Sequence, residues 1–431
     1  MKRKIYKNLL NWKEKNSKLP YMLVGARQTG KTYILKEFCE KEFENYIYIN
    51  LENMLNVAEI FEETLEPKKI IQAIEVILNT KIDIKNTIIF IDEIQTSEKA
   101  INSLKYFAEA EEEEYKIVCA GSLLGVKINR FKSSFPVGKV WIDYLYPMDF
   151  EEFLIAIDEQ ELDNIIKDSY KKMEPMLEPL HQKALRLYNE YLCIGGMPSN
   201  ILEYIRNEKD ITEYQDDLSN IIITSYLADM SKYTENTEAI KNNKIYNSIP
   251  EQLGKENKKF KYSVVEKSAR SREYESSLEW LVASNMILKC NNVKTPKSPL
   301  KAYMDENFKV YLSDIGILRV LSRITINEIL LNKNMLYKGV LAENYVAQIL
   351  NNKYKELYYW QLGSYYEVDF VINIEGDIIP IEVKASDNIT SKSLNYYMEK
   401  YKPEYAIRIS TKNFGFSNNI KSIPLYAAHL L

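Results

Sequence analysis

Histidine is almost missing from this chain: His181 and His429 are the only two in 431 residues. That scarcity nearly excludes histidine general bases and histidine metal centres. Any chemistry must run on carboxylates, lysines, hydroxyls and bound metal. The four cysteines, Cys39, Cys119, Cys193 and Cys290, are scattered singly with no CxxC pair. Neither a zinc cluster nor a disulfide framework is expected; small core residues in a reducing compartment are. No apolar run approaches the ~20 residues of a membrane span. The basic start Met1-Lys2-Arg3-Lys4 leads into polar Asn11 to Lys18, not into an apolar signal stretch. A cytoplasmic protein with no membrane partner is the expectation. A strong charge of one sign is also lacking, since 57 basic and 61 acidic residues leave −4. Such a balance does not advertise a nucleic-acid binder, although a local basic patch can hide within it.

What is present is length, and with it several domains. Residues 1–150 alternate strand-like and helix-like stretches. Tyr21-Met22-Leu23-Val24, Tyr46 to Ile49, Thr87 to Ile91 and Lys116 to Ala120 are apolar and short, as strands are. Thr32 to Phe43 carries Ile34, Leu35 and Phe38 at helical spacing. Strands separated by helices predict a parallel sheet covered on both faces, hence an α/β fold. Residues 151–245 read as helical, interrupted by the breakers Gly195-Gly196-Met197-Pro198. Residues 246–325 form a further region, in which Ser263-Val264-Val265-Glu266 matches a capping box and predicts a helix start. Residues 326–431 read as a helix followed by strands.

Gly25-Ala26-Arg27-Gln28-Thr29-Gly30-Lys31-Thr32 fits the P-loop pattern G-x-x-x-x-G-K-[ST]. It follows an apolar strand and opens a helix, as phosphate binding requires. The glycines let backbone N–H groups turn around phosphate oxygens, and the helix N-terminus adds partial positive charge. Lys31 reaches the β- and γ-phosphates and Thr32 ligates Mg²⁺. Downstream, Ile88-Ile89-Phe90-Ile91-Asp92-Glu93 is an apolar strand ending in two acids. Asp92 is expected to complete the Mg²⁺ site and Glu93 to activate the attacking water. Ser122, after the fourth strand, is placed to sense the γ-phosphate. Arg130 is a candidate arginine finger by position alone. ATP with Mg²⁺ is the expected cofactor pair.

These stretches resemble the prokaryotic AAA-type ATPases that carry a nuclease-related C-terminal domain of unknown function. The resemblance rests on Gly25-Ala26-Arg27-Gln28, Phe90-Ile91-Asp92-Glu93-Ile94-Gln95, Ala120 to Gly125 and Phe135-Pro136-Val137-Gly138-Lys139. It continues through Leu145-Tyr146-Pro147-Met148-Asp149-Phe150 and Gly195-Gly196-Met197-Pro198. It implies an AAA-type core (1–150), a helical lid (151–245), a winged-helix domain (246–325) and a restriction-endonuclease-like α/β domain (326–431).

Between residues 241 and 310 there are 14 Lys and Arg against 8 Asp and Glu. That local +6 leaves −10 for the rest. Lys258, Lys259, Lys261, Lys267, Arg270 and Arg272 cluster around one helix start and are candidate contacts to DNA phosphates. Near the C-terminus, Glu343 sits in a predicted helix and Asp369 in the predicted strand Glu367 to Ile372. A second strand carries Ile381-Glu382-Val383-Lys384. Glu375-Gly376-Asp377 reads as the hairpin turn between the two. Period two puts Glu382 and Lys384 on one face, with Asp369 near them across the hairpin. Converging carboxylates with a lysine can hold Mg²⁺ and align water on a phosphodiester. They match the D…E-x-K pattern of restriction-endonuclease-like folds, with Glu343 as the helix acid. The leading expectation is an ATPase coupled to a nucleic-acid-directed, nuclease-like domain, with duplex DNA or another nucleic acid as partner. The rival is a nucleotide-dependent switch, acting through a homo-oligomer or protein partner, with an inactive nuclease-like domain.

Overall fold

Five short apolar segments build one parallel sheet in the order β2-β3-β4-β1-β5. They are β1 (Tyr21–Val24), β2 (Asn45–Asn50), β3 (Thr87–Asp92), β4 (Lys116–Gly121) and β5 (Trp141–Tyr144). The computed structural model of the chain describes residues 1–111, 113–122, 135–333, 335–363, 365–385 and 392–431. Arg130 and the Leu123-Leu124-Gly125 part of the family motif lie outside them. Two compact units result, one of residues 1–146 with 283–285 and one of 147–282 with 286–431.

In the first unit the central strands β1, β3 and β4 are buried on both faces because helices cover both, while the edge strands β2 and β5 are half-buried. Met22, Val24, Ile89, Ile91, Ile117 and Cys119 pack under the helices Leu55–Glu63, Pro67–Leu78 and Glu98–Glu109. The alternate residues Tyr21, Leu23, Ile88, Phe90, Val118 and Ala120 pack against Ile5–Glu14 and Lys31–Glu42. Each fully buried aliphatic contributes roughly 1.5–3 kcal/mol. The predicted strands and the P-loop helix form where the apolar spacing placed them. Register then aligns the strand ends: Val24 lies opposite Gly121, and Asn50 opposite Asp92.

The second unit opens with helices from Phe150–Ala156 to Asn236–Leu253. Asp149 and Glu152 close a capping box on the first of them. Gly195-Gly196-Met197-Pro198 separates Glu178–Ile194 from Pro198–Arg206, and the glycines are there for space. A Cβ on Gly196 would sit 2.1 Å from the Met148 carbonyl oxygen; one on Gly195 would sit 2.4 Å from Asp314 Oδ1. The Asp314 carboxylate accepts from the Gly196 and Ile317 N–H groups at 2.7 and 3.0 Å.

The expected capping box at Ser263 does not form. The helix there is only Tyr262–Val265, with Lys261 at its N-cap and no side-chain cap. Glu266 is the residue after it, and its carboxylate instead accepts from the Tyr274 hydroxyl at 2.6 Å and Lys244 at 3.0 Å. The long helix runs over Ser271–Ala283, with Trp280 and Leu281 in the core as expected.

β6 (Ile287–Val293) and β7 (Met304–Leu312) follow as an antiparallel pair. β8 (Leu357–Leu362) and β9 (Tyr366–Val368) join them in a sheet ordered β7-β6-β8-β9. This sheet runs across the expected boundary at 325/326, because β6 pairs in parallel with β8. A second sheet, β10-β11-β12-β14-β13, uses β10 (Phe370–Ile374), β11 (Asp377–Val383), β12 (Ala406–Ser410), β13 (Gly415–Ser417) and β14 (Ile420–Pro424). Glu375 and Gly376, at φ 51° and 97°, make the tight β10–β11 turn. The single strand predicted over Glu367 to Ile372 is broken: Asp369 is the hinge between β9 and β10, which belong to different sheets. Among the described residues no helix is long and apolar enough to cross a membrane.

Candidate nucleotide site and a carboxylate–lysine cluster

Strand order decides the first site. β4 lies between β1 and β3, so the P-loop after β1, Ser122 after β4 and Asp92-Glu93 at the end of β3 stand side by side. They occupy the carboxyl edge of a parallel sheet, where α/β folds bind ligands. Gly25 is obligatory, since a Cβ there would lie 2.2 Å from the Leu145 carbonyl oxygen. Gly30 takes φ 94° as the N-cap of Lys31–Glu42, and Gln28 takes φ 63°. The Thr29 hydroxyl donates to the Ala26 carbonyl at 2.9 Å and braces the turn. Lys31 is buried and folds back on its own loop, donating to the Gly25 and Ala26 carbonyls at 2.9 and 2.7 Å. A triphosphate would offer that ammonium stronger, charged acceptors in place of these carbonyls. Arg27 and Thr32 complete the loop.

Asp92 is 3 % exposed. Its carboxylate accepts from the Tyr48 hydroxyl at 2.9 Å and from the Glu93 N–H at 3.0 Å. Burial, followed by the neighbouring Asp92 charge, pushes the Tyr48 phenol above its ordinary value, although a hydrogen bond from Asn50 works the other way. Tyr48 therefore stays protonated and remains a donor. The Thr32 hydroxyl and the Asp92 carboxylate are hard oxygen donors and suit a hard divalent cation. Glu93 adopts a left-handed φ of 52°, an uncommon conformation that ends the strand. Its carboxylate accepts from the Gln95 amide, which also reaches the Ser122 hydroxyl at 3.5 Å.

Two residues of this site escape sequence reasoning. Arg3 donates to the Thr29 carbonyl at 2.8 Å and to the Tyr146 carbonyl at 2.6 Å, tying the P-loop to the exit of β5. An arginine so far from the motif gives no signal in the chain. Gln95 had one, as part of the Phe90 to Gln95 stretch, but no role follows from its residue type alone.

The C-terminal residues also converge, in an arrangement that differs from the expected one. Glu343, on the helix Met335–Tyr354, is buried and accepts from three groups. These are Lys258, Lys309 at 3.1 Å and the Tyr311 hydroxyl at 2.5 Å. Lys309 is wholly buried and also pairs with Glu367 at 2.6 Å. Burial would lower the Lys309 pKa, but Glu343, Glu367 and Asp369 outweigh it and hold the ammonium charged. Burial would raise Glu343, which Lys258 and Lys309 instead hold far below the carboxylate range. Asp369 is pushed above that range by burial and then by Glu343 and Glu382. Its carboxylate accepts from the Val383 N–H at 2.8 Å. Lys384 pairs with Glu382 at 2.7 Å.

Glu343, Asp369, Glu382 and Lys384 are thus neighbours, yet the helix acid is already neutralised by lysines. Among the described residues no group of three or more acids, cysteines or histidines is placed to hold a metal ion. As placed, the donor set does not fit the expected second Mg²⁺. Lys258, expected at a DNA surface, is drawn into this cluster. Lys261, Lys267, Arg270 and Arg272 are exposed, and Lys259 is half-buried.

Comparison with known families divides the chain in three. Residues 17–154 match the AAA domain family. This segment is similar to AAA domains. It contains every residue of the nucleotide site except Arg3. Residues 185–328 and 338–428 match two domains of unknown function, DUF8612 and DUF4143. No curated protein matches the chain. Among solved structures, the Walker-type ATPase of Pyrococcus abyssi is 15% identical, with 75% of this chain and 96% of that one covered at a TM-score of 0.45. The ORC2 protein of Aeropyrum pernix, in ADPNP and ADP complexes, is 13% identical, with 76% and 92% covered at 0.40. The ORC1 protein of the same organism, in complex with DNA, is 12% identical, with 74% and 91% covered at 0.29.

Proposed function

We propose that this chain is an ATP-binding, Mg²⁺-dependent ATPase whose turnover is coupled to a nucleic-acid-directed C-terminal region. The observation that carries the reading is the shared edge of the AAA sheet. There the P-loop, Ser122 and the Asp92-Glu93 pair lie on neighbouring strand ends. Backbone N–H groups from Gly25 to Thr32 cradle the phosphates, and Lys31 leaves its loop carbonyls for the β- and γ-oxygens. Thr32 and Asp92 would hold Mg²⁺, which supplies charge neutralisation on the phosphates. Glu93, oriented by Gln95, takes the proton of the attacking water. Ser122 senses the γ-phosphate through the same amide.

The division into AAA core, lid, winged helix (246–325) and restriction-endonuclease-like domain (326–431) belongs to the same proposal. So does the assignment of Lys259, Lys261, Lys267, Arg270 and Arg272 to nucleic acid. The test is the ATP hydrolysis rate with Mg²⁺, with and without DNA, beside Lys31→Ala. Stimulation by DNA, with turnover abolished in the variant, supports the coupled reading. Unchanged turnover in Lys31→Ala would refute the site.

One observation favours a second reading. Two lysines already neutralise Glu343, which suits a nuclease-like domain that cuts nothing and serves a nucleotide-dependent switch. Size-exclusion chromatography with a slowly hydrolysed ATP analogue, alongside a nuclease assay, separates the two. A nucleotide-dependent oligomer without cleavage selects the switch; cleavage lost in Asp369→Asn selects the nuclease.

A further inference from the structure

Outward of Lys309 on β7 lie Asn307 and Asp305, where the pairing with β6 shifts register. Both line a cleft of about 700 Å³ in the second unit, and neither belongs to the carboxylate–lysine cluster. Four lysines border the cleft: Lys259, Lys294, Lys297 and Lys400. Lys294, for example, is 72% exposed. Asp305 is the one acid among the lining residues. Its carboxylate is already engaged, by the Asn292 amide at 3.0 Å, by the Asn307 amide at 3.2 Å and by Lys294 at 3.9 Å. The amide donors are neutral and leave its single negative charge in place, so four ammonium groups against one carboxylate still give the cleft a net positive field.

Two further observations specify the ligand. Asn292 is 3 % exposed and lines the cleft. Its Nδ2 is committed to Asp305, while its Oδ1 accepts no hydrogen bond among the described residues. A buried acceptor left over is costly unless a ligand supplies a donor. The Tyr401 ring is half-buried and lines the same cleft, and the Lys400 ammonium stands 5.4 Å from its centroid. Cations around a groove, an aromatic ring and a waiting acceptor suit a chain that carries phosphates, flat rings and N–H or O–H donors.

We propose that this cleft seats a single strand of nucleic acid. Lys259, Lys294, Lys297 and Lys400 hold its phosphates, a base lies against Tyr401, and a base amine or sugar hydroxyl donates to Asn292 Oδ1. The strand then lies beside Asn292, whose β8 partner Tyr359 stands 4.9 Å from the Lys309 ammonium. This site rests on the nucleic-acid-directed reading above but differs from the exposed group Lys261, Lys267, Arg270 and Arg272.

The test uses the full chain and a short fluorescent oligonucleotide, single-stranded and as its duplex, in a salt titration. The single strand should bind more tightly than the duplex. Lys294→Gln with Lys297→Gln should weaken it roughly tenfold or more and reduce the salt slope by roughly 0.7 per lysine removed. Asn292→Ala should weaken binding with the salt slope unchanged, which separates the acceptor from the field. ATP turnover without nucleic acid should stay at the wild-type rate in all these variants, reporting an intact fold. If the strand binds but only Lys267→Gln with Arg270→Gln weakens it, the cleft is wrong while the broader reading stands. Equal or tighter duplex binding overturns the single-strand assignment. No binding of either probe overturns both the cleft and the nucleic-acid reading.

Discussion

Lys309 is an ammonium with no exposed surface, held between Glu343 and Glu367 and 4.9 Å from the Tyr359 ring centroid. Burying such a charge is tolerable only while its partners remain. Lys309→Met should therefore cost about 3–5 kcal/mol in denaturant unfolding, and adding Glu343→Leu should restore part of that loss. Asp314 makes a prediction of opposite character. Burial lifts its pKa to about 6, although the N–H groups of Ile317, Gly196 and Gly316 pull it down. The unfolded value is about 3.9. The folded state therefore binds the proton more tightly than the unfolded one. The stability that protonation contributes is present in full below about pH 4 and is lost as pH rises through 6. Melting temperatures of Asp314→Asn, compared with wild type across that window, should show a flatter slope. Arg3 belongs at this scale too. Arg3→Ala removes two hydrogen bonds from the loop edge and should raise the KM for ATP several-fold with little loss of stability. An unchanged KM would make Arg3 a bystander.

At the scale of elements, the sequence is most readable where one local rule decides. The P-loop strand and helix, β2 to β4 and the Glu375-Gly376 turn follow from apolar spacing and turn chemistry alone. The capping box at Ser263 satisfies its pattern and still fails, because Tyr274 and Lys244 claim Glu266 from other elements. No local signal reports such competition. The strand predicted over Glu367 to Ile372 fails for a similar reason. Alternation is continuous through Asp369, but the two halves pair with β8 and with β11 in separate sheets. The D…E-x-K residues were legible as neighbours. Lys309 and Lys258, which change what that neighbourhood can bind, were not, since each comes from a distant strand or loop. Gly196 offers a test at this scale. Gly196→Ala would drive a methyl into the Met148 carbonyl and should destabilise by several kcal/mol, whereas Gly339→Ala, at a helical position, meets no atom within 4 Å and should cost far less. Thermal unfolding of the pair checks it.

In the whole molecule an AAA-like segment is joined to two regions that match families of unknown function. The central proposal is that Glu93 activates water beside the P-loop while Lys31, Thr32 and Asp92 hold the nucleotide and its metal. The most direct measurement is ATP hydrolysis with Mg²⁺ by wild type and Glu93→Gln, with ATP binding measured on the same samples. Glu93→Gln should bind ATP as tightly as wild type while turnover falls by roughly 10²–10⁴-fold. Hydrolysis by Glu93→Gln at the wild-type rate would contradict the account.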